Sequence, residues 1–581
     1  MRDFASLYQQ LDASTATGDK VAALRRWFDH ARAADAAWAL YFLAGGKPRQ
    51  VVPTALLRQT ACRLAGIDDW LFEECYQAVG DLAETIAHVL PPATRASDDG
   101  LAFWVEQRLL PLRGLPAQDQ TERLEAAFGE LDAAGRFLLV KLIGGGFRVG
   151  VSKLLVQRAL AEHAGLDVKL VAQRMMGFTE ARATPSASRF EALRAPADAA
   201  APATGQPYPF FLAHALQRPL AEFDGVLGPS DDWLVEWKFD GIRAQVVKLA
   251  GHVWIWSRGE ELVSDRFPEV QSAAGALPDG CILDGELLAW PPGQDQPAPF
   301  NLLQQRIARK TLTKKVLADA PVVFVAYDLL QLDAADLRAQ PQQARRDALE
   351  ALLAALPPSL PPSLPTSLQP CHALRLSPQV LAPDWAAFAA LRAQSRARGV
   401  EGLMLKQRAA RYGSGRTTSD GVWWKWKIDP LTVDGVLIYA QAGHGRRAGV
   451  YTDYTFAVWN RVPRSAEEAQ AVVEAIARRA PPPDAASGAL QLVTFAKAYS
   501  GLSDAEFARV DRVIRADTVD KFGPVRSVRP SLVFELGFEG INASPRHKSG
   551  IAVRFPRMLR IRQDKPLHEA DTLDTLRALM A

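Results

Sequence analysis

Cysteine is scarce in this chain: there are four among 581 residues. Cys62, Cys75, Cys281 and Cys371 are scattered without metal-ligand spacing. A zinc cluster and a disulfide framework are thereby excluded, and a reducing cytosol is expected. No apolar run approaches the length of a membrane span, and the opening MRDFASLYQQLDAS has no apolar signal segment, so a soluble, cytoplasmic protein with no membrane partner is expected. Excess charge is lacking too. With a net charge of +3, any attraction to nucleic acid must come from local basic patches.

The length implies several domains. The first part reads as helical, with Leu24, Trp27, Phe28 and Ala31 stepping at i, i+3, i+4, i+7 and Trp38, Tyr41 and Phe42 repeating the step. Near Pro185 the texture turns rich in Ala, Pro, Thr and Ser, which predicts a linker over 184–206 after a helical domain at 1–183. Alternating strands interleaved with helical segments then predict a mixed α+β domain over 207–430, and short strands predict a small β-barrel over 431–581. The Pro-rich stretch 356–370, LPPSLPPSLPTSLQP, reads as an extended surface loop, with an SH3-type ligand as the sharper alternative.

One strand carries an unusual pair of charges. In LVEWKFDGIRAQ, Leu234 to Gln245, alternation sends Val235, Trp237 and Phe239 one way and Glu236 and Lys238 the other. The plain reading is a solvated sheet face bearing a salt bridge. The chemical reading is a nucleophilic lysine at a strand end, held by the Asp240-Gly241 turn and perturbed by Arg243. Other strands add to the second reading. CILDGELLAW puts Asp284 and Glu286 on one face, a pair that asks for a cation or sugar hydroxyls. GVWWKWKI sets Lys425 and Lys427 side by side with Trp423, a pair suited to a phosphate. VFVAYD offers Phe324 or Tyr327 as a plate for a base. In EGLMLK, alternation places Glu401 and Lys406 on opposite faces, so a bend is needed if both serve one pocket.

These segments, in this order, resemble the motifs of covalent nucleotidyltransferases: EWKFDGIRAQ, WSRGEE, ILDGELLAW, FVAYDLL, VEGLMLK, WWKWKI and RIRQDK. With LLVKLIGGGFRVGVSKLLVQRALA at 138–161 and HKSGIAVRFPRMLRIRQDK at 547–565, the chain is similar to the larger ATP-dependent DNA ligases. The resemblance implies an all-α DNA-binding domain, an ATP-grasp-like adenylation domain and an oligonucleotide-binding (OB) barrel. It implies ATP as cofactor, with Mg²⁺ (Mn²⁺ the alternative), and nicked duplex DNA as partner, for a monomer in a bacterial cytoplasm at the nucleoid. By that resemblance Lys238 attacks the α-phosphate of ATP, with Lys425 and Lys427 neutralising it. Glu236 sits at the adenine end, Tyr327 stacks on adenine, and Arg243, Arg258 and Glu286 hold ribose or phosphate. Glu401, assisted by Glu286, binds metal. Arg562 and Lys565 orient the leaving pyrophosphate, and Asp429-Pro430 is the expected hinge. Arg148, Lys153, Arg554, Arg557 and Arg560 contact DNA. The competing expectations are an RNA ligase or capping-type nucleotidyltransferase, and a non-catalytic DNA-binding scaffold.

Overall fold

The computed structural model describes residues 1–14, 16–47, 51–95, 97–144, 147, 149–179, 184–196, 205–307, 309, 312–356, 373–419, 421–443, 450–480, 488–545 and 547–580. The Pro-rich stretch, apart from Leu356, and Arg148 lie outside them. Two compact units divide the chain. One comprises Met1–Val52, Ser97–Pro116 and Lys141–Ile428, and the other Pro53–Ala96, Ala117–Val140 and Asp429–Ala581.

The N-terminal part of the first unit is helical, as its periodicity predicts. Helices α1 (Arg2–Ala13), α2 (Thr17–His30) and α3 (Ala33–Leu43) bury Phe4, Tyr8, Leu24, Phe28 and Phe42. Phe147 stacks on Phe4 at 5.7 Å and meets Tyr8 edge-on at 5.1 Å, so an aromatic cluster holds its ring in place. The buried Lys20 ammonium donates to the Gly150 carbonyl at 2.8 Å. Helix α4 (Lys153–Ala164) begins at Ser152, whose hydroxyl accepts the Leu155 N–H. A further helix, α5 (Ala187–Arg194), lies in the segment expected to be a linker. Ser186 caps it, and Phe190 and Leu193 are buried, with Phe190 against Phe28 of α2. Eight residues with a cap and one apolar face suffice for a helix once a neighbour covers that face.

Two sheets follow in the same unit. One runs His214–Ala215, β7 (Trp423–Lys427), β6 (Gly402–Gln407), β1 (Trp233–Trp237). The other runs β3 (His252–Ser257), β2 (Ile242–Leu249), β4 (Cys281–Ala289), β5 (Val322–Leu332), Ala335–Asp336, with Leu374–Leu376 parallel beside β5. Both sheets contribute to one apolar cluster, Val247, Trp256, Ile282 and Leu330 from the second and Trp423 from the first. The outer faces pack elsewhere: Val235, Leu403 and Trp426 in one core, and Val246, Leu283 and Phe324 in another. Helix α6 (Gln342–Ala355) packs against β5.

The C-terminal strands form a separate antiparallel sheet centred on β8 (Leu431–Ala442). Register shifts at Leu437/Tyr439 and Gln441/Ala442 bend β8. Its first half pairs with β9 (Val533–Phe538) and its second half with Val525–Val528. β9 in turn pairs with β10 (Arg557–Ile561). The fold class is therefore as expected, a helical region followed by two sheet-rich parts, and the C-terminal sheet is consistent with an OB barrel. No helix among the described residues is long and apolar enough to cross a membrane.

Candidate active site

Alternation on β1 holds, but the two charges it places on one face do not pair with each other. The Lys238 ammonium donates to Glu401 Oε2, and Lys427 Nζ lies 3.4 Å from the same oxygen. Glu236, only 2% exposed, takes Arg346 Nη1 on Oε1 at 2.9 Å and Lys406 Nζ on Oε2 at 2.5 Å. A solvated salt bridge is thus excluded. Burying these charges carries a desolvation cost that a purely structural strand would avoid.

Glu401 reaches Lys238 because the strand bends beside it. Gly402 has φ +130°, and a Cβ there would lie 2.3 Å from the Trp426 carbonyl oxygen. Lys406, further along β6, then faces the same side as Glu401, which supplies the bend that the sequence required. The backbone ladder ties the three strands: Lys238 N–H donates to Gly402 O at 2.8 Å, Glu401 N–H to Lys238 O at 2.7 Å, and Gly402 is in register with Lys427.

Arg243 takes its hydrogen-bond partners from outside the Lys238–Glu401 pair. It sits on β2 and forks onto Asp284, with Nη2–Oδ2 at 2.7 Å and Nε–Oδ1 at 3.2 Å, while Nη1 donates to Phe211 O at 2.6 Å. Burial works against its charge, but Asp284 overrides it and raises the guanidinium well above its usual range. The Tyr412 hydroxyl donates to Asp284 Oδ2 at 2.5 Å and completes this support. The charge paired with Lys238 is the Glu401 carboxylate.

Glu286 stands opposite Arg243 on β4. Burial pushes its carboxyl up to about 8, opposed by Lys238 and Arg243 and reinforced by Asp284 and Glu401. Lys425 is lowered below its usual range by burial first, then by Lys427, Lys238, Arg416 and Arg258. Lys427, Lys238, Arg416 and Arg258 therefore lie near enough to bear on Lys425, a gathering of positive charge that suits a polyphosphate. Arg258 is exposed and its N–H donates to Arg243 O at 2.9 Å.

The two candidate aromatic plates differ in burial. Phe324 is fully enclosed in the outer core, whereas Tyr327 is half-buried, with the Lys406 ammonium 4.1 Å from its ring centroid and Trp423 edge-on at 6.5 Å. Burial raises the Tyr327 phenol well above its usual range, so the ring stays neutral. The Glu401 carboxylate pairs with Lys238 and Lys427, and the Glu286 carboxyl lies within electrostatic reach of Lys238 and Glu401. Among the described residues no three His, Cys, Asp or Glu side chains form a metal cage. That donor set fits Mg²⁺, which keeps water and substrate phosphates in its shell.

In the C-terminal unit, Arg562 Nη1 bonds Asp434 at 2.8 and 3.1 Å, and Lys565 Nζ bonds the same carboxylate at 2.7 Å. Lys153 is engaged with Glu260, so its ammonium is paired rather than free for phosphate. Arg560 pairs with Glu535, Arg554 lies over the exposed Phe555 ring at 5.0 Å, and Arg557 is exposed. Sequence reasoning missed Arg346, Arg416 and Tyr412, and it named Lys406 only as a residue that a bend would bring to the Glu401 side. Arg346 belongs to an ordinary amphipathic helix and gave no signal.

Known proteins are similar to this chain. Residues 1–161 match the model of the DNA ligase N terminus, and residues 213–427 that of the ATP dependent DNA ligase domain. A probable DNA ligase of Koribacter versatilis is 30% identical over 594 residues, covering 99% of this chain and 95% of that protein. A probable DNA ligase of Opitutus terrae is 33% identical, covering 94% of this chain, which spans 53% of that longer protein. A solved structure named Pmar-Lig_PreS3 shares the fold, with a TM-score of 0.59, 14% identity, and coverage of 96% of this chain and 99% of that one. The chain belongs to the ATP-dependent DNA ligase family.

Proposed function

We propose that this chain seals nicks in duplex DNA through a covalent lysine–AMP intermediate. The observation that carries the reading is the Lys238–Glu401 pair set among Lys425, Lys427 and Arg258. Lys238 Nζ, once deprotonated, forms an N–P bond to the α-phosphorus of ATP, and the bond to pyrophosphate breaks. A 5′-phosphate oxygen of the nick then takes the AMP, breaking the N–P bond and returning the amine to Lys238. Finally the 3′-hydroxyl attacks that 5′-phosphorus, the phosphodiester forms and AMP leaves. Each step is a displacement at phosphorus, so positioning and charge neutralisation supply the catalysis.

Glu236 and Lys406 present an acceptor and a donor to the base, and Tyr327 stacks on it. Arg243 and Glu286 face the ribose, and Lys425 and Lys427 hold the α-phosphate. Mg²⁺ or Mn²⁺, held by Glu286 and Glu401, would neutralise phosphate charge. Arg562 and Lys565 reach the pyrophosphate by closure about Asp429-Pro430, where the chain passes between the two units. The domains are 1–183, 207–430 and 431–581, joined by 184–206. Arg554, Arg557 and Arg560 contact phosphates, and Lys153 does so after release from Glu260. The protein acts as a monomer in a bacterial cytoplasm. The test is covalent labelling by α-labelled ATP, and label from GTP instead would favour the capping reading.

A further inference from the structure

Arg346 lies on α6 and belongs to no recognised motif, yet all of its guanidinium nitrogens are committed. Nη1 donates to Glu236 Oε1 at 2.9 Å, Nη2 to the Ser377 carbonyl at 2.8 Å, and Nε to Glu350 Oε1 at 2.6 Å. Arg346 and Glu236 are each 2% exposed, and Lys406, on the other carboxylate oxygen, is 1% exposed. Replacing such a buried ionic group with packed apolar side chains is often neutral or stabilising, so stability alone does not explain it. Position does. Glu236 stands two residues before Lys238 on one strand face, and whatever fixes Glu236 fixes it relative to the nucleophile.

We propose that Arg346 is a positioning residue that sets the preference for adenine over guanine; this rests on the adenylation reading above. An ionised carboxylate only accepts and an ammonium only donates. Glu236 therefore matches the adenine 6-amino group and Lys406 matches adenine N1. Guanine offers the reverse, a carbonyl at C6 and an N–H at N1. A guanine could satisfy the pair only by sliding so that the two contacts exchange partners, or by Glu236 swinging away. Arg346, held at three points, blocks the second route. Without it Glu236 is tethered by Lys406 alone and can rotate with its partner.

The test is self-adenylation of the full chain with α-labelled ATP and GTP, read as the ratio of the two kcat/KM values. Arg346→Ala is expected to lower the ATP:GTP ratio about tenfold or more, because a fixed hydrogen-bonding site is what rejects the wrong base. Arg346→Lys keeps the charge but loses the fork, and should lower the ratio by a smaller factor. The double variant Glu236→Gln with Arg346→Met should show the same ratio as Glu236→Gln alone, since Arg346 acts through Glu236. A role in folding alone would slow both nucleotides alike. A wild-type ratio in both Arg346→Ala and Arg346→Lys overturns the proposal, whatever the rates. Arg346→Lys preserves the buried charge and keeps the test open if Arg346→Ala does not fold. Failure of the wild-type protein to label with either nucleotide overturns the adenylation reading itself, a separate result.

Discussion

Lys238 and Glu401, 163 positions apart in the chain, are joined both through their side chains and through their backbones. The ammonium donates to the carboxylate, while the Glu401 N–H donates to Lys238 O at 2.7 Å. The proposed nucleophile and the carboxylate it pairs with are thus placed by one ladder, and anything that shifts β6 against β1 shifts that pair.

Gly402→Ala tests that placement. The left-handed φ of +130° and a Cβ 2.3 Å from the Trp426 carbonyl oxygen force the backbone to move. A cost of about 1–3 kcal/mol is expected from strain of this kind. Self-adenylation should fall more steeply than the melting temperature alone would explain. Unchanged adenylation would show that Glu401 does not depend on the bend.

Lys425→Met tests the cation cluster. Burial and four neighbouring cations hold the Lys425 ammonium below its usual 10.5. Between the lowered folded value and 10.5 the unfolded chain binds more protons, so wild-type stability rises with pH across that window. The variant should melt higher than wild type near neutral pH, with the difference shrinking as pH approaches 10.5, while adenylation is lost. An equal pH slope of melting in both proteins would contradict the assignment.

How far all this could be read in the sequence depends on whether a side chain's role is local to its strand. Glu236, Lys238, Lys425 and Lys427 were legible because alternation alone fixes their faces. The bend at Gly402 was required by the pattern but could not be located, since a glycine's φ depends on the strand packed beside it. Arg346 comes from a helix more than one hundred residues away from Glu236, and no local periodicity encodes that meeting. Arg243 shows the same limit, since nothing local in the sequence tells that its partner is Asp284 on the adjoining strand.

Arg562→Ala and Lys565→Ala test the role assigned to the C-terminal cations, which here share the Asp434 carboxylate. Each should slow self-adenylation about 100-fold, in the range seen when one charge-stabilising donor is removed. Sealing of a pre-adenylated nick, which releases no pyrophosphate, should fall far less. Equal losses in the two assays would remove these residues from the leaving-group site.

Arg557→Ala tests the DNA contact. Arg557 is exposed, while Arg560 is held by Glu535. Its loss should weaken nick binding uniformly across sequences and lower the slope of log affinity against log salt by about 1. A slope equal to that of wild type would mean that Arg557 meets no phosphate.

The central claim is most directly tested by incubating the purified protein with Mg²⁺ and α-labelled ATP, denaturing it, and measuring covalent label in wild type and Lys238→Ala. The account predicts label on wild type, acid-labile as a phosphoramide, and none on the variant. Label persisting in Lys238→Ala would contradict it. So would its absence from a wild-type protein whose intact mass shows no AMP already attached.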